Sequence, residues 1–201
     1  HGHLAFVGGP DSGVSEAIGL AVLGLASHAR ESHMYVLDPD SSFVGLASHC
    51  RVGATAGLHE LRRAVRILER LAREQSLRLG RPAADDDTPL VLVIAGWGSW
   101  LSAFRAGPLA WAEDILHDLV RDGNRAGITV IISGQRELVT SRFFAAVPNR
   151  VYCPTGSSDD SRIAWPKLPL TASVVGRGVA VGALSGGRTA VCQFYTAAGA
   201  E

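Results

Sequence analysis

The sequence lacks several features that would assign its class at once. Its three cysteines, Cys50, Cys153 and Cys192, are widely spaced and fit neither a disulfide framework nor a zinc site, so reduced thiols in a cytosolic protein are expected. No apolar run reaches the roughly 18 residues of a membrane span. The 19 basic and 19 acidic residues cancel, which leaves no overall field to attract nucleic acid or an acidic membrane. The seven histidines show no metal-binding spacing, so no metal site is expected.

Lysine is nearly absent. Lys167 is the only one, and arginine carries the rest of the basic charge. This matters because one common kind of phosphate site depends on a lysine beside its glycines.

The hydrophobic pattern predicts one α/β domain over residues 1–201. Short apolar runs alternate with longer amphipathic segments, which is typical of a mostly parallel sheet covered by helices on both faces. The predicted strands are 3–8, 33–38, 90–96, 128–134 and 150–154, the predicted helices are 15–29, 58–79 and 108–127, and a hairpin is predicted over 178–195.

Ligands of such folds bind beyond the carboxyl ends of the strands. The loops at 8–14, 38–45, 95–107 and 134–137 are therefore expected to share one edge of the sheet and to hold the functional site.

The stretch "GGPDSGVS" has the spacing of a phosphate-binding loop, GxxxxGK[ST], at every fixed position except the lysine, where Val14 stands. In such loops the glycines let backbone N–H groups turn toward phosphate, and the hydroxyl binds magnesium. The same residues also suit an ordinary strand-to-helix turn in which Ser15 caps the helix. The candidate nucleotide-binding residues, vestigial or weak, are Gly8, Gly9, Pro10, Asp11, Ser12, Gly13, Val14 and Ser15.

A phosphate-loop ATPase also needs an acid at the end of a buried strand to hold the magnesium shell. The strand "LVLVIAG" is the candidate, and Ala95 and Gly96 stand at its end. A charge-assisted contact is worth about 1.5–3 kcal/mol, so losing the lysine and the acid together predicts a loss of Mg-ATP affinity of about 100-fold or more.

Five segments in order resemble the FtsK/SpoIIIE-type ATPase domains found in tandem in the EccC/EssC motors of type VII secretion systems. They are "HLAFVGGPDSGVSEAI", "HMYVLDPDSSFVGLASHCRVGAT", "LVLVIAGWGSW", "ITVIISGQRE" and "VVGRGVAVG". Within the second segment, Cys50 and Arg51 depart from the family's pattern. The fourth segment places Gln135 and Arg136 at a sensor-like position.

The resemblance implies a RecA-like P-loop NTPase fold and a domain cut from a longer, membrane-anchored cytoplasmic motor. Val14 and Ala95 favour one of the later, degenerate domains, with no catalytic residues and with ATP and Mg²⁺ bound weakly or not at all. Such domains are associated with regulation and with binding the C-terminal export signal of WXG100 substrates. The implied partners are neighbouring ATPase domains and that signal, without nucleic acid or direct membrane contact. The alternatives are a weakly active ATPase and a DNA-translocase domain.

Other residues have a structural and a functional interpretation. The apolar cluster of Trp97, Trp100, Leu101 and Phe104 suits core or interface packing, and alternatively a groove for an amphipathic signal helix. The arginine-rich face of 58–79 suits a solvated surface, or contact with DNA or lipid.

Asp38 and Asp40 either meet a ribose or cap a turn. Arg136 and Arg142 are candidates to face a neighbouring subunit.

Overall fold

The structure is a computed structural model. It describes residues 2–28, 32–82, 87–168 and 174–194, and of His28 it describes the backbone only. Eight strands form one sheet in the order β3-β2-β4-β5-β1-β6-β7-β8. The first six in chain order pair in parallel, and β7 and β8 are antiparallel. Their bounds are β1 Leu4–Gly8, β2 His33–Leu37, β3 Val52–Ala56, β4 Leu90–Ile94, β5 Ile128–Gly134, β6 Asn149–Cys153, β7 Arg177–Val181 and β8 Ala190–Gln193.

Six α-helices lie in the described part of the chain, together with short 3-10 turns. They are α1 Val14–His28, α2 Leu61–Leu79, α3 Trp97–Arg105, α4 Ala112–Asp122, α5 Arg136–Val139 and α6 Asp159–Arg162. The 3-10 turns span Pro10–Ser12, Val44–Ser48, Leu58–Glu60, Gly123–Ala126, Phe144–Ala146 and Ala183–Ser185.

Side chains alternate across the central strands and bury both faces of the sheet. On β4, Leu92 and Ile94 belong to the cluster that α2, α3 and α4 cover, whereas Val91 and Val93 belong to the cluster that α1 covers. This period of two is what a strand buried on both faces requires. The predicted α/β fold with a C-terminal hairpin is confirmed.

Some predicted elements differ from the structure. The segment 97–105, predicted as loop, is the helix α3, because its three large aromatic side chains are buried against the sheet. The edge strand β3 was not predicted, since "VGATA" is short and rich in small residues. The third predicted helix begins at Ala112 rather than at Pro108, because turns occupy 106–111.

Candidate functional site

A cleft of about 820 Å³ lies at the carboxyl edge of the sheet. It is lined by residues at or just beyond the ends of β1, β2, β4 and β5, among them Gly8, Asp38, Ala95 and Gly134. The prediction that these four loops share one edge is confirmed. This is the place where a parallel sheet of this kind binds ligands.

Several backbone groups of the candidate phosphate loop are already hydrogen-bonded to other groups of the protein. The Gly9 N–H donates to Ser157 Oγ at 2.9 Å, and the Ser12 N–H donates to the Gly9 carbonyl at 3.2 Å. The Ser12 hydroxyl, which is fully buried, donates to the same carbonyl at 2.6 Å. Pro10 has no N–H. Gly9, Pro10 and Ser12 therefore offer no free backbone donor to a phosphate in this conformation.

The three loop glycines are required by close packing against the protein itself. A Cβ at Gly8 would lie 2.8 Å from the Cys153 carbonyl oxygen, and one at Gly9 would overlap the Gly156 carbonyl oxygen. Gly13 has a φ of +90°, and a Cβ there would lie 2.6 Å from Gly176 Cα. Contacts with the 153–157 and 174–176 segments thus account for the glycine pattern without any bound phosphate.

Apolar residues stand at the two positions where the sequence spacing predicts the lysine and the acid of an ATPase site. Val14 lines the cleft, is 6% exposed, and shares a buried cluster with Phe6 and Ile18. Ala95 lines the same cleft, and its carbonyl accepts the indole N–H of Trp100 at 3.1 Å. Lys167 is not among the described residues that line the cleft.

The cleft carries negative charge only, as far as its described lining goes. Glu16, Asp38, Asp40 and Glu137 line it, and no lysine, arginine or histidine is among the described residues around it. Four carboxylates with no balancing cation repel a triphosphate, which itself carries several negative charges.

Two of these carboxylates have structural partners. Asp38 Oδ2 accepts the Phe43 N–H at 2.9 Å and Oδ1 accepts the Asp40 N–H at 3.3 Å, which is the turn-capping alternative for this residue. Glu137 Oε1 accepts the Gln135 N–H at 2.8 Å. The Glu137 carboxylate lies against Gly98, where a Cβ would be 2.8 Å from Oε1. The sequence reading did not single out Glu137, because it follows the strand by three residues and matches no motif.

The sensor-like residues and the apolar cluster occupy different surroundings. Gln135 lines the cleft, whereas Arg136 is exposed and is not part of the described lining. Trp97, Trp100 and Phe104 are at most 1% exposed and pack in the core, and the Trp97 ring meets Phe143 edge-on at 5.5 Å. These contacts favour the core-packing alternative for the three aromatic residues. Leu101, the fourth residue of the suggested groove, is partly buried and lines the cleft.

Arg142, suggested to face a neighbouring subunit, is paired with Asp114.

Comparisons of the structure with solved structures identify domains of the same architecture. EssC (ATPases 2 and 3) from Geobacillus thermodenitrificans has a TM-score of 0.77 at 14% identity, over 100% of this chain and 40% of that one. EccC (ATPases 2 and 3) from Thermomonospora curvata, solved in complex with a signal sequence peptide, has a TM-score of 0.75 at 15% identity, over 97% and 37%. The chain has the fold of these type VII secretion ATPase domains.

A third similar structure is the genome packaging NTPase B204 from Sulfolobus turreted icosahedral virus 2 in complex with AMPPCP. It has a TM-score of 0.57 at 12% identity, over 96% of this chain and 98% of that one. No protein-family model matches the sequence, and no curated protein matches it either. The chain spans about two fifths of the length of the EssC and EccC structures. In the described ranges of the chain, no helix is long and apolar enough to cross a membrane.

Proposed function

We propose that this chain is a degenerate ATPase domain of a type VII secretion motor that hydrolyses little or no ATP. It acts as a regulatory or scaffold domain beside neighbouring ATPase domains, on the cytoplasmic part of a membrane-anchored protein. The observation that supports this most directly is the charge of the cleft. Its described lining contains four carboxylates and no cationic side chain, and Val14 and Ala95 occupy the lysine and acid positions.

The state of the loop supports the same proposal. An ATPase loop presents its N–H groups to phosphate. Here the Gly9 and Ser12 N–H groups are bonded to protein acceptors, and the loop packs on the 153–157 segment. Phosphate binding would have to break these contacts and also overcome the repulsion from the carboxylates.

A nucleotide titration tests the proposal. The wild-type protein is expected to bind ATP weakly or not at all, with or without Mg²⁺, and to show little or no turnover. Magnesium-dependent hydrolysis that a Ser15→Ala change abolishes would contradict the proposal and favour the alternative, a weakly active FtsK-type ATPase. In that case Glu137 would be the carboxylate to test first as the magnesium-shell acid, because it lines the cleft beside Gly98, three residues after β5.

The second part of the proposal is that the domain receives the C-terminal export signal of a WXG100 substrate. Its support is the architecture shared with the EccC structure that was solved with a signal sequence peptide. Titration with peptides from WXG100 C-termini tests it, and saturable binding is expected. Leu101→Ala changes an apolar residue of the cleft, and Leu184→Ala changes a residue 65% exposed elsewhere. Equal affinities of the two variants would place the peptide outside the cleft, and absence of binding would remove this part of the proposal.

A further inference from the structure

The helix α2 carries a line of arginines on its solvent side, Arg62, Arg66, Arg70 and Arg73. All four are exposed, and none forms an ion pair or a side-chain hydrogen bond in the described part of the chain. At 100° per residue the four fall within an arc of about 80°, and they extend over roughly 17 Å of the helix. We call these four residues the arginine stripe.

The opposite side of α2 fixes the direction in which the stripe points. Val65, Leu68 and Leu71 are buried in the cluster that this helix forms with the sheet. The helix cannot turn its arginines inward without exposing these apolar side chains to water. The stripe is therefore a fixed feature of the surface.

The glutamates nearest in sequence leave the stripe positively charged. Glu60 pairs with Arg63 at 3.6 Å, and Glu74 pairs with Arg78 at 2.7 Å, so these charges are balanced locally. Glu69 lies on the same side of α2 as the stripe and is partly buried. Four positive charges are thus opposed by one negative charge.

The neighbouring helix does not cancel the stripe either. On α4, which packs against α2, Asp118 and Asp122 both pair with Arg121 at 2.8 Å. The carboxylates of the cleft lie at the carboxyl edge of the sheet, whereas α2 covers one of its faces. Because the Debye length at physiological salt is only about 8 Å, the stripe acts on its surroundings as a local positive patch although the chain has no net charge.

An exposed leucine lies within the same arc of the helix. Leu77 is 67% exposed and follows Arg73 by about one helical turn. The aliphatic stems of the arginines add further apolar surface beneath their charged ends. The surface therefore combines guanidinium groups with apolar side chains. A lipid surface offers phosphate above hydrocarbon and matches both, whereas a nucleic-acid backbone matches only the charge.

The shape of the patch also favours a broad surface as its partner. The stripe runs along the outer side of a helix, and most recognised peptides lie in a groove or along the edge of a sheet. Arginines in one line on a helix contact a flat surface together.

We propose that the arginine stripe docks α2 onto an anionic lipid surface, with its guanidinium groups on lipid phosphates and Leu77 in the headgroup layer. Arginine suits this role because its planar donors bind phosphate in a bidentate manner. Each basic residue close to an anionic bilayer strengthens binding about fivefold. This contact departs from the absence of membrane contact that the family resemblance implies. It goes beyond the proposed function and does not depend on what the cleft binds.

Flotation of the wild-type protein with vesicles is the first test. Phosphatidylcholine vesicles with one third phosphatidylglycerol should bind the protein at low salt, and vesicles of phosphatidylcholine alone should bind it much less. Binding should weaken as salt rises, because the Debye length falls from about 10 Å at 0.1 M to about 3 Å at 1 M. No binding to the anionic vesicles at low salt, or equal binding to both kinds, would overturn the inference.

Neutralising the stripe is the second test. Arg66→Gln with Arg70→Gln should weaken binding to the anionic vesicles about 20-fold or more. Arg136→Gln with Arg188→Gln is the matched control, because it makes the same change in net charge at exposed positions away from α2. The control should bind as the wild type does, and circular dichroism should show both variants folded. An equal loss in the two variants, or no loss in the stripe variant, would overturn the inference.

The leucine separates a lipid surface from other anionic partners. Leu77→Ala should weaken vesicle binding about threefold or more, because less apolar surface enters the headgroup layer. Leu184→Ala, at a residue 65% exposed in the C-terminal hairpin, should not. An unchanged affinity for Leu77→Ala would overturn the choice of a lipid surface, since a purely ionic contact does not use this side chain.

Duplex DNA and polyglutamate are the competing anions to test with the same variants. Binding of either one through the stripe, without binding to the anionic vesicles, would assign the stripe to a different partner and overturn the inference. Failure of the vesicle tests would leave the proposed function standing, because that proposal is tested by the ATP titration at the cleft.

Discussion

Gly9 donates its backbone N–H to the hydroxyl of Ser157, 148 residues away in the chain, at 2.9 Å. The Ser157 hydroxyl in turn donates to the Cys153 carbonyl at 3.0 Å. Ser157 therefore links the candidate phosphate loop to the end of β6. The loop is thus held by contacts within the fold itself.

Ser157→Ala should leave the Gly9 N–H without its acceptor and so lower the free energy of unfolding by about 1–3 kcal/mol. Urea denaturation measures this loss. Ser158→Ala is the neighbouring comparison. It removes the exposed cap that accepts the Ser161 N–H and should cost about 0.5–2 kcal/mol without altering the Gly9 amide. Faster hydrogen exchange at the Gly9 amide in Ser157→Ala alone would show that the Gly9–Ser157 hydrogen bond was lost. Equal exchange at this amide in both variants would contradict the prediction.

Gly9→Ala should destabilise the protein by about 1–3 kcal/mol, because the added Cβ overlaps the Gly156 carbonyl and either the backbone or the loop must shift. Gly24→Ala is the matched control. Gly24 lies inside α1, no atom is within 4 Å of its would-be Cβ, and alanine is the better helix former by about 0.5–1 kcal/mol. Thermal unfolding should move in opposite directions for the two changes. A stable Gly9→Ala protein would show that the loop is not packed as described.

Val14→Lys combined with Ala95→Asp should raise the affinity for Mg-ATP by about 100-fold or more, since each restored charge contributes about 1.5–3 kcal/mol. A lysine stem is long enough to leave the buried Val14 position and place its ammonium in the cleft. Isothermal titration calorimetry measures the change. No gain, even after Glu16→Gln and Asp40→Asn are added, would show that the bonded loop amides rather than the missing charges prevent binding.

The protein should lose stability as the pH falls below about 6.5, partly because of His3. Burial lowers the pKa of His3, so the folded state keeps the imidazole neutral while the unfolded state takes up a proton. The unfolded state binds more protons in the window between the folded pKa and about 6.5, and stability therefore rises with pH there. His3→Asn retains an acceptor for the Val130 N–H and should flatten this dependence in denaturation curves.

The three thiols should react in a fixed order. Cys50 is exposed, Cys192 is partly buried, and Cys153 is buried, with burial raising the pKa of the Cys153 thiol to about 12. Because the thiolate is the reactive form, iodoacetamide at mildly alkaline pH should label Cys50 first and Cys153 only on unfolding. Mass spectrometry of timed samples measures the order. Labelling of native Cys153 as fast as that of Cys50 would contradict the packing of β6.

Local patterns were sufficient to predict most of the sheet and the place of the site. Continuous apolar runs such as "LVLVI" identify central strands, and the loops that follow them meet at one edge by the geometry of a parallel sheet. Val14 and Ala95 were located by motif spacing alone. The helix α3 was missed, because its aromatic residues are large and its segment is rich in glycine and serine, so burial rather than propensity decides its form.

The features that decide how the loop behaves depend on distant parts of the chain. No local pattern pairs Gly9 with Ser157, or places Gly176 against Gly13. Glu137 likewise enters the cleft only because α5 turns back over Gly98 after β5. Sequence spacing shows which charges are absent from a motif. It does not show which backbone N–H groups are already hydrogen-bonded to other parts of the fold.

The C-terminal hairpin and the candidate phosphate loop form one mechanical unit. The Phe194 N–H donates to the Gly176 carbonyl at 2.7 Å, and the Gly176 N–H donates to the Ser12 carbonyl at 3.1 Å. These two bonds act in series and add to the β6–β7 and β7–β8 pairings, so part of a load applied along the chain beyond β8 is transmitted through Gly176 to the peptide of Ser12. The hairpin and the loop cannot separate unless one of these two bonds opens first.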